Sequence, residues 1–90
     1  MPLYALTLLV TGPPEEAGPT AEKHRRNLRA LKGDGKLRFA CEFKEGDGFV
    51  ELLDTADRME AEAIARSSPL VEGGLATWML RECVELDLDS

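Results

Sequence analysis

Near the start of the chain, Leu3-Tyr4-Ala5-Leu6-Thr7-Leu8-Leu9-Val10 forms an apolar run broken only by Thr7. A run of strand length without alternation suits a strand buried on both faces, and so a central strand of a sheet. Thr11-Gly12-Pro13-Pro14 ends it, because proline removes a ladder donor and glycine bends the chain. Within a chain of 90 residues, whatever follows must cover both faces of that strand.

The remaining segments follow from their punctuation. Glu15 to Pro19 reads as a loop, and Thr20 as the N-cap of a first helix with Glu22 in its first turn. Ala21, His24, Leu28 and Leu31 recur at helical spacing, which puts His24 on the apolar stripe. Gly33-Asp34-Gly35 ends the helix. Lys36 to Phe43 then alternates, with Leu37, Phe39, Cys41 and Phe43 on one side and Lys36, Arg38, Ala40 and Glu42 on the other. Glu45-Gly46-Asp47-Gly48 predicts a hairpin turn into a return strand, Phe49 to Leu53. Asp57 with Glu60 makes a capping box for a second helix, whose apolar side is read as Met59, Ala63 and Ile64 with flanking alanines. Pro69 closes that helix, and Pro69 to Glu72 suits a short helical turn. After Gly73-Gly74, Leu75 to Leu88 predicts a last strand, with Trp78, Leu80, Val84, Leu86 and Leu88 on one parity.

The order is strand, helix, strand, strand, helix, strand. Right-handed crossovers then favour one α+β domain over residues 1–90, ferredoxin-like in plan. Two helices lie on one face of a four-stranded antiparallel sheet, with the first and third strands central. One helix layer cannot cover residues of both parities, so a second copy of the chain is expected on the other face. A homodimer, or a larger assembly of such dimers, follows.

Composition narrows the classes of function. Seventeen acidic against 11 basic residues give a net charge of −6, which repels nucleic acid and anionic membranes. The basic cluster Lys23, His24, Arg25, Arg26 and Arg29 reads as a solvated helix face. Cys41 and Cys83 read as core fillers of a cytoplasmic protein, and one histidine without a CxxC pair offers no metal set and no cofactor motif. Leu3 to Val10 is too short for a membrane span. Gly73-Gly74 lacks the residues of a phosphate loop, and Trp78 reads as core or interface.

Several pieces also match a known pattern in order and spacing. They are Tyr4 in the opening strand, His24 with Leu28 four residues on, Gly35-Lys36-Leu37, Ser67-Ser68-Pro69-Leu70-Val71, and Gly74-Leu75. Over nearly its whole length the chain resembles the YCII-related family, small proteins of the dimeric α+β barrel type. The resemblance implies a homodimer with a cleft near His24 and Ser68. His24 would be the general acid or base, with Ser68, Pro69 and Tyr4 beside a small, anionic metabolite. The family pairs the histidine with the aspartate of an Asp-Pro step. That step here reads Ser68-Pro69, and the family's Gly-Pro pair after the second strand here reads Cys41-Glu42.

His24 suits proton transfer near neutral pH, provided an acceptor fixes its tautomer. Ser68 offers one hydroxyl and no charge, so any catalysis is expected to be weak, or the domain a non-catalytic accessory dimer. Backbone amides after Ser68 and Pro69 form a mild anion site if a short helix starts there. Arg38, Glu51 and Arg81 are expected to project from the uncovered sheet face, as rim ion pairs or as charges inside a dimer cavity.

Overall fold

A computed structural model describes residues 2–89. The elements run β1 (Leu3–Val10), α1 (Pro14–Gly33), β2 (Leu37–Glu42), β3 (Gly48–Asp54), α2 (Arg58–Arg66), α3 (Pro69–Glu72) and β4 (Ala76–Cys83). The sheet order is β2-β3-β1-β4, with every neighbouring pair antiparallel. This is an α+β chain with β1 and β3 central, compatible with the ferredoxin-like plan.

β1 sorts its side chains by parity. Tyr4, Leu6 and Leu8 enter the core shared with the helices, which also takes Phe49 and Leu53 of β3, Leu80 of β4, Leu28 of α1, Ala61 and Ala65 of α2, and Leu70 of α3. α1 contributes Ala17, His24 and Leu28 as its buried stripe. α2 buries Ala61 and Ala65, one turn apart, while Met59 and Ala63 face solvent. The expected apolar side of that helix is therefore rotated. Two alanines let the short helix sit close to the sheet, where Met59 would hold it off.

Helix α1 starts six residues before the predicted cap. Pro14 supplies the preset first-turn geometry, with Glu15 and Glu16 beside the helix dipole. Pro19 lies inside the helix, and its missing donor falls in the exposed first turns. Thr20 is no cap; its hydroxyl donates back to the Glu16 carbonyl at 3.0 Å.

Strand β2 carries a bulge. Leu37 pairs with Leu53 and Phe39 with Leu52, which leaves Arg38 as an extra residue. The slip moves Phe39 and Cys41 onto the side of Val50 and Leu52, away from the helices, and leaves Leu37 in the core. The uniform alternation expected from Leu37 to Phe43 thus breaks at its first step. Cys41 is exposed and Cys83 half-buried, so neither fills the core. The hairpin closes from the Phe43 carbonyl to the Gly46 N–H, with Gly46 at φ 78°. Gly48 is required for a different reason: a Cβ there would lie 2.2 Å from the Leu8 carbonyl oxygen.

The face away from the helices carries Leu9, Phe39 and Met79, all about half exposed, with Val50 and Leu52 between them. β4 ends at Cys83, opposite Leu3, the first residue of β1. Residues 84–89 therefore lie outside the sheet, not within the strand predicted to Leu88.

α2 is tied down at its start. Asp57 accepts from the Glu60 N–H at 2.9 Å, and Glu60 reaches back to the Ala56 N–H at 2.8 Å. The second oxygen of Glu60 accepts from Lys36 Nζ at 2.7 Å. The Lys36 ammonium, then the Ala56 N–H, hold the Glu60 carboxyl below the usual range, and Glu60 pushes Lys36 up. A lowered carboxyl contributes stability above its unfolded value and loses it as pH falls through the folded value. Glu60→Gln should lower the melting temperature modestly at neutral pH, since the pair is about a third exposed. Its deficit against wild type should close as pH falls through the lowered Glu60 value, read by thermal unfolding across pH.

Candidate functional site

Three polar side chains meet in the layer between the helices and the sheet. His24 Nε2 lies 2.6 Å from Glu51 Oε2, and His24 Nδ1 lies 2.9 Å from Ser68 Oγ. Each of the three residues is 1% exposed. The Phe49 ring packs edge-on against the imidazole, with centroids 4.7 Å apart.

Each residue is placed by its element. His24 follows from the buried stripe of α1, four residues before Leu28, with Arg25 next to it on another face. Glu51 lies between Phe49 and Leu53 on the core-facing parity of β3. Ser68 stands at the joint of α2 and α3. Pro69 after it forces an extended backbone, with Ser68 at φ −58° and ψ 131°. Its hydroxyl oxygen then caps α3, accepting from the Leu70 N–H at 3.3 Å.

The hydrogen bonds fix the ring. Glu51 accepts from Nε2–H. Ser68 Oγ accepts from the Leu70 N–H and keeps its own hydrogen free to point at Nδ1. Carboxylate, imidazole and hydroxyl thus form one chain in a low-dielectric setting, where each bond strengthens its neighbours. These are the residue types that activate a serine in acyl transfer. Here both ring nitrogens have partners and the serine is closed off from solvent.

Glu51 supplies the acid that the Ser68-Pro69 step lacks. It does not project from the uncovered face as expected. The signal was available in its parity, since Phe49, Glu51 and Leu53 alternate as one side of β3. His24 and Ser68 are brought together, but in a packed interior without an open cleft. Pro69 flanks Ser68 at the start of α3. Tyr4 does not join them. It is buried two residues along β1 from Leu6, the register partner of Glu51. Burial, then the nearby Glu82, raises its hydroxyl pKa.

The basic cluster on α1 is broken up. His24 is internal, and Arg25 is held by Glu42 through Nη2 at 2.7 Å and by Glu22 through Nη1 at 3.0 Å. Hydrogen bonding to Glu42 pushes the Arg25 guanidinium up, and Arg25 holds the Glu42 carboxyl down. Arg38 stays on the open face, bonded to Asp54 at 3.1 Å. Arg81 is exposed on β4.

A cavity of about 440 Å³ opens beside this cluster, between the start of α1 and the β2–β3 hairpin. Val10, Ala17 and Ala21 give it an apolar floor, and Arg25, Glu42 and Asp47 stand at its walls. The Arg25 guanidinium lies 5.9 Å from the centroid of Phe49, the ring that also touches His24. Among the described residues, no group of three or more His, Cys, Asp or Glu is arranged to hold a metal. No helix of the described residues is long and apolar enough to cross a membrane.

A scan against protein-family models gives no match to this chain, and neither does a search of curated proteins.

Removing one partner of the buried pair strands the other. Glu51→Leu should cost about 3–5 kcal/mol in urea unfolding, because the Nε2–H loses its acceptor inside the core. The double variant His24→Leu/Glu51→Leu should recover much of that loss. Additive losses would show that the two side chains do not act as a pair.

Proposed function

We propose that this chain is a small-molecule-binding, at most weakly catalytic domain that acts as a homodimer, with His24 as its proton-handling group. The observation that carries this reading is the buried Ser68–His24–Glu51 chain. Desolvating a carboxylate and an imidazole is costly in a core this small, and apolar residues of similar volume hold a fold as well or better. Buried titratable clusters gather where chemistry is done. The likeness of the sequence to YCII-related proteins supports the same position for the site and a dimeric α+β barrel as the assembly. The apolar helix-free face supports a second copy as its cover.

The cavity between α1 and the hairpin is the natural ligand site. Its one cation, Arg25, is already neutralised by Glu42 and Glu22, and Asp47 adds a further negative charge. That balance favours a neutral or cationic small molecule over the anionic metabolite that the resemblance implies. Phe49 links the cavity wall to the imidazole. A ligand that displaces Arg25 would therefore alter the packing of the His24 ring. No metal or organic cofactor enters this reading, and neither nucleic acid nor a membrane is its partner. The charge balance and the free cysteines support a cytoplasmic setting.

One observation favours a second reading. Both nitrogens of His24 are bonded internally, which is what a non-catalytic accessory dimer with a polar lock in its core would show.

The two readings separate by nuclear magnetic resonance of the imidazole nitrogens. During a screen of small neutral and cationic metabolites, a binding domain should show a ligand that shifts both His24 and the amides around Ala21 and Arg25. Glu51→Gln should then lower any turnover found, since it removes the carboxylate that stabilises an imidazolium. If no compound moves the ring while the protein stays dimeric, the accessory reading holds. Sedimentation of wild type as a monomer at low micromolar concentration would overturn the dimer.

A further inference from the structure

β4 runs out of partner at Cys83, yet its alternation continues as Val84-Glu85-Leu86-Asp87-Leu88-Asp89. Val84, Leu86 and Leu88 are 85%, 72% and 82% exposed. Three large apolar side chains at every second position of an irregular segment have the pattern of a strand with one face meant for burial. Nothing among the described residues provides that burial. The chain measures 47 Å along its longest axis against 25 and 22 Å on the others.

The root of this arm lies on the helix-free side of the sheet. Leu3, Phe39, Leu52, Cys83, Val84 and Glu85 surround a shallow apolar hollow there. Arg38 bridges the hollow, bonding Asp54 at 3.1 Å and approaching Glu85 at 3.6 Å. Asp54 Oδ1 is buried with no hydrogen-bond partner. Arg81, on the same face, is in no ion pair among the described residues.

We propose that residues 84–89 form an exchanged arm that lies on the helix-free sheet face of a second copy. The inference rests on the homodimer reading and adds to it the segment that joins the copies. The occupant is another copy because this chain carries both halves of the contact. The arm brings Val84, Leu86 and Leu88; the face brings Leu9, Phe39 and Met79. A two-fold arrangement satisfies both reciprocally. The alternation agrees with it. Glu85, Asp87 and Asp89 alternate with the apolar residues and so stay on the arm's wet side when the apolar ones are covered. The arm's backbone N–H groups are unpaired within their own chain's sheet and free to bond to a partner.

Two experiments on the full chain test it. In sedimentation equilibrium, Leu86→Ser/Leu88→Ser should self-associate at least about a hundredfold more weakly, as each leucine withdrawn from apolar contact is worth about tenfold. Thermal unfolding at high dilution should change little, since neither leucine contacts its own core. A photo-crosslinking residue placed at Leu88, in an equal mixture of ¹⁴N- and ¹⁵N-labelled protein, should give mixed-isotope crosslinks to peptides of β1, β2 or β4. Crosslinks confined to one isotope overturn the proposal, because the arm then folds onto its own sheet. A wild-type dimer whose affinity is unaffected by the double substitution overturns it while leaving the homodimer intact. A monomeric wild type overturns both.

Discussion

Glu51 and His24 meet between β3 and α1, and their contact sets how the helix lies across the sheet. Apolar packing alone is tolerant: Ala17, Leu28 and the leucines of β1 and β3 would accept small slides of α1 at little cost. A carboxylate at 1% exposure accepts none. Moving α1 by one turn would leave Glu51 buried without a donor and His24 without an acceptor. Ser68 extends the constraint to the third layer of contacts. Its hydroxyl serves both the imidazole and the first amide of α3, so the joint after α2 is placed by the same ring. α1, β3 and the α2–α3 joint are positioned together by two hydrogen bonds.

The sheet carries the opposite problem on its two sides. Beneath the helices, Leu6, Leu8, Leu53 and Leu70 are fully enclosed, and the alanines of α2 bring the layers close. On the other side the bulge at Arg38 delivers Phe39 to the surface beside Leu52. An unbroken strand would have kept Phe39 in register with Leu37, under the helices. The bulge adds apolar surface to a face that already holds Leu9 and Met79, and it places Arg38 within reach of Asp54. Such a face is an interaction surface by its chemistry. A small domain with a limited core gains stability when it is covered.

How far the sequence could be read depended on whether a residue's neighbours were local. β1, the hairpin and the cap of α2 were legible because period, turn chemistry and Asp57 with Glu60 act within a few residues. Pro13 and Pro14 were misleading, since two prolines in a row suggest a loop until the second is recognised as the first residue of a helix. The bulge in β2 was not legible, because nothing in Leu37-Arg38-Phe39 marks which residue is extra; the pairing with β3 decides it. The segment from Val84 to Leu88 keeps strand periodicity but has no strand beside it, and periodicity alone cannot report a missing neighbour. For the site, the stripe position placed His24 and the resemblance placed Ser68 near it. Glu51 was assigned to the wrong face, although its parity with Phe49 and Leu53 pointed inward. A charged residue on a core parity was read as a surface charge, when its burial was the more informative possibility.

That misreading bears on what the cluster is for. A glutamate amid Phe49, Leu53 and Leu6 has to be held by a partner of high quality, and His24 at 2.6 Å is one. If holding were the whole purpose, leucines at both positions would serve the core better, because the pair must first be stripped of water. A protonatable pair has one property that two leucines lack. Its hydrogen-bond pattern can be rewritten without moving heavy atoms, since the Ser68 hydroxyl can rotate while Glu51 and the ring stay in place. The Phe49 ring touches the imidazole and also lies under the Arg25 guanidinium at the cavity wall. Under the proposed reading, a ligand need not touch His24 to be sensed by it. It need only compete with Glu42 and Glu22 for Arg25, and the aromatic ring between them transmits the change. An accessory domain has no use for such a link, so a response of the imidazole to changes at Arg25, rather than the presence of the histidine, is what would separate a working site from a lock.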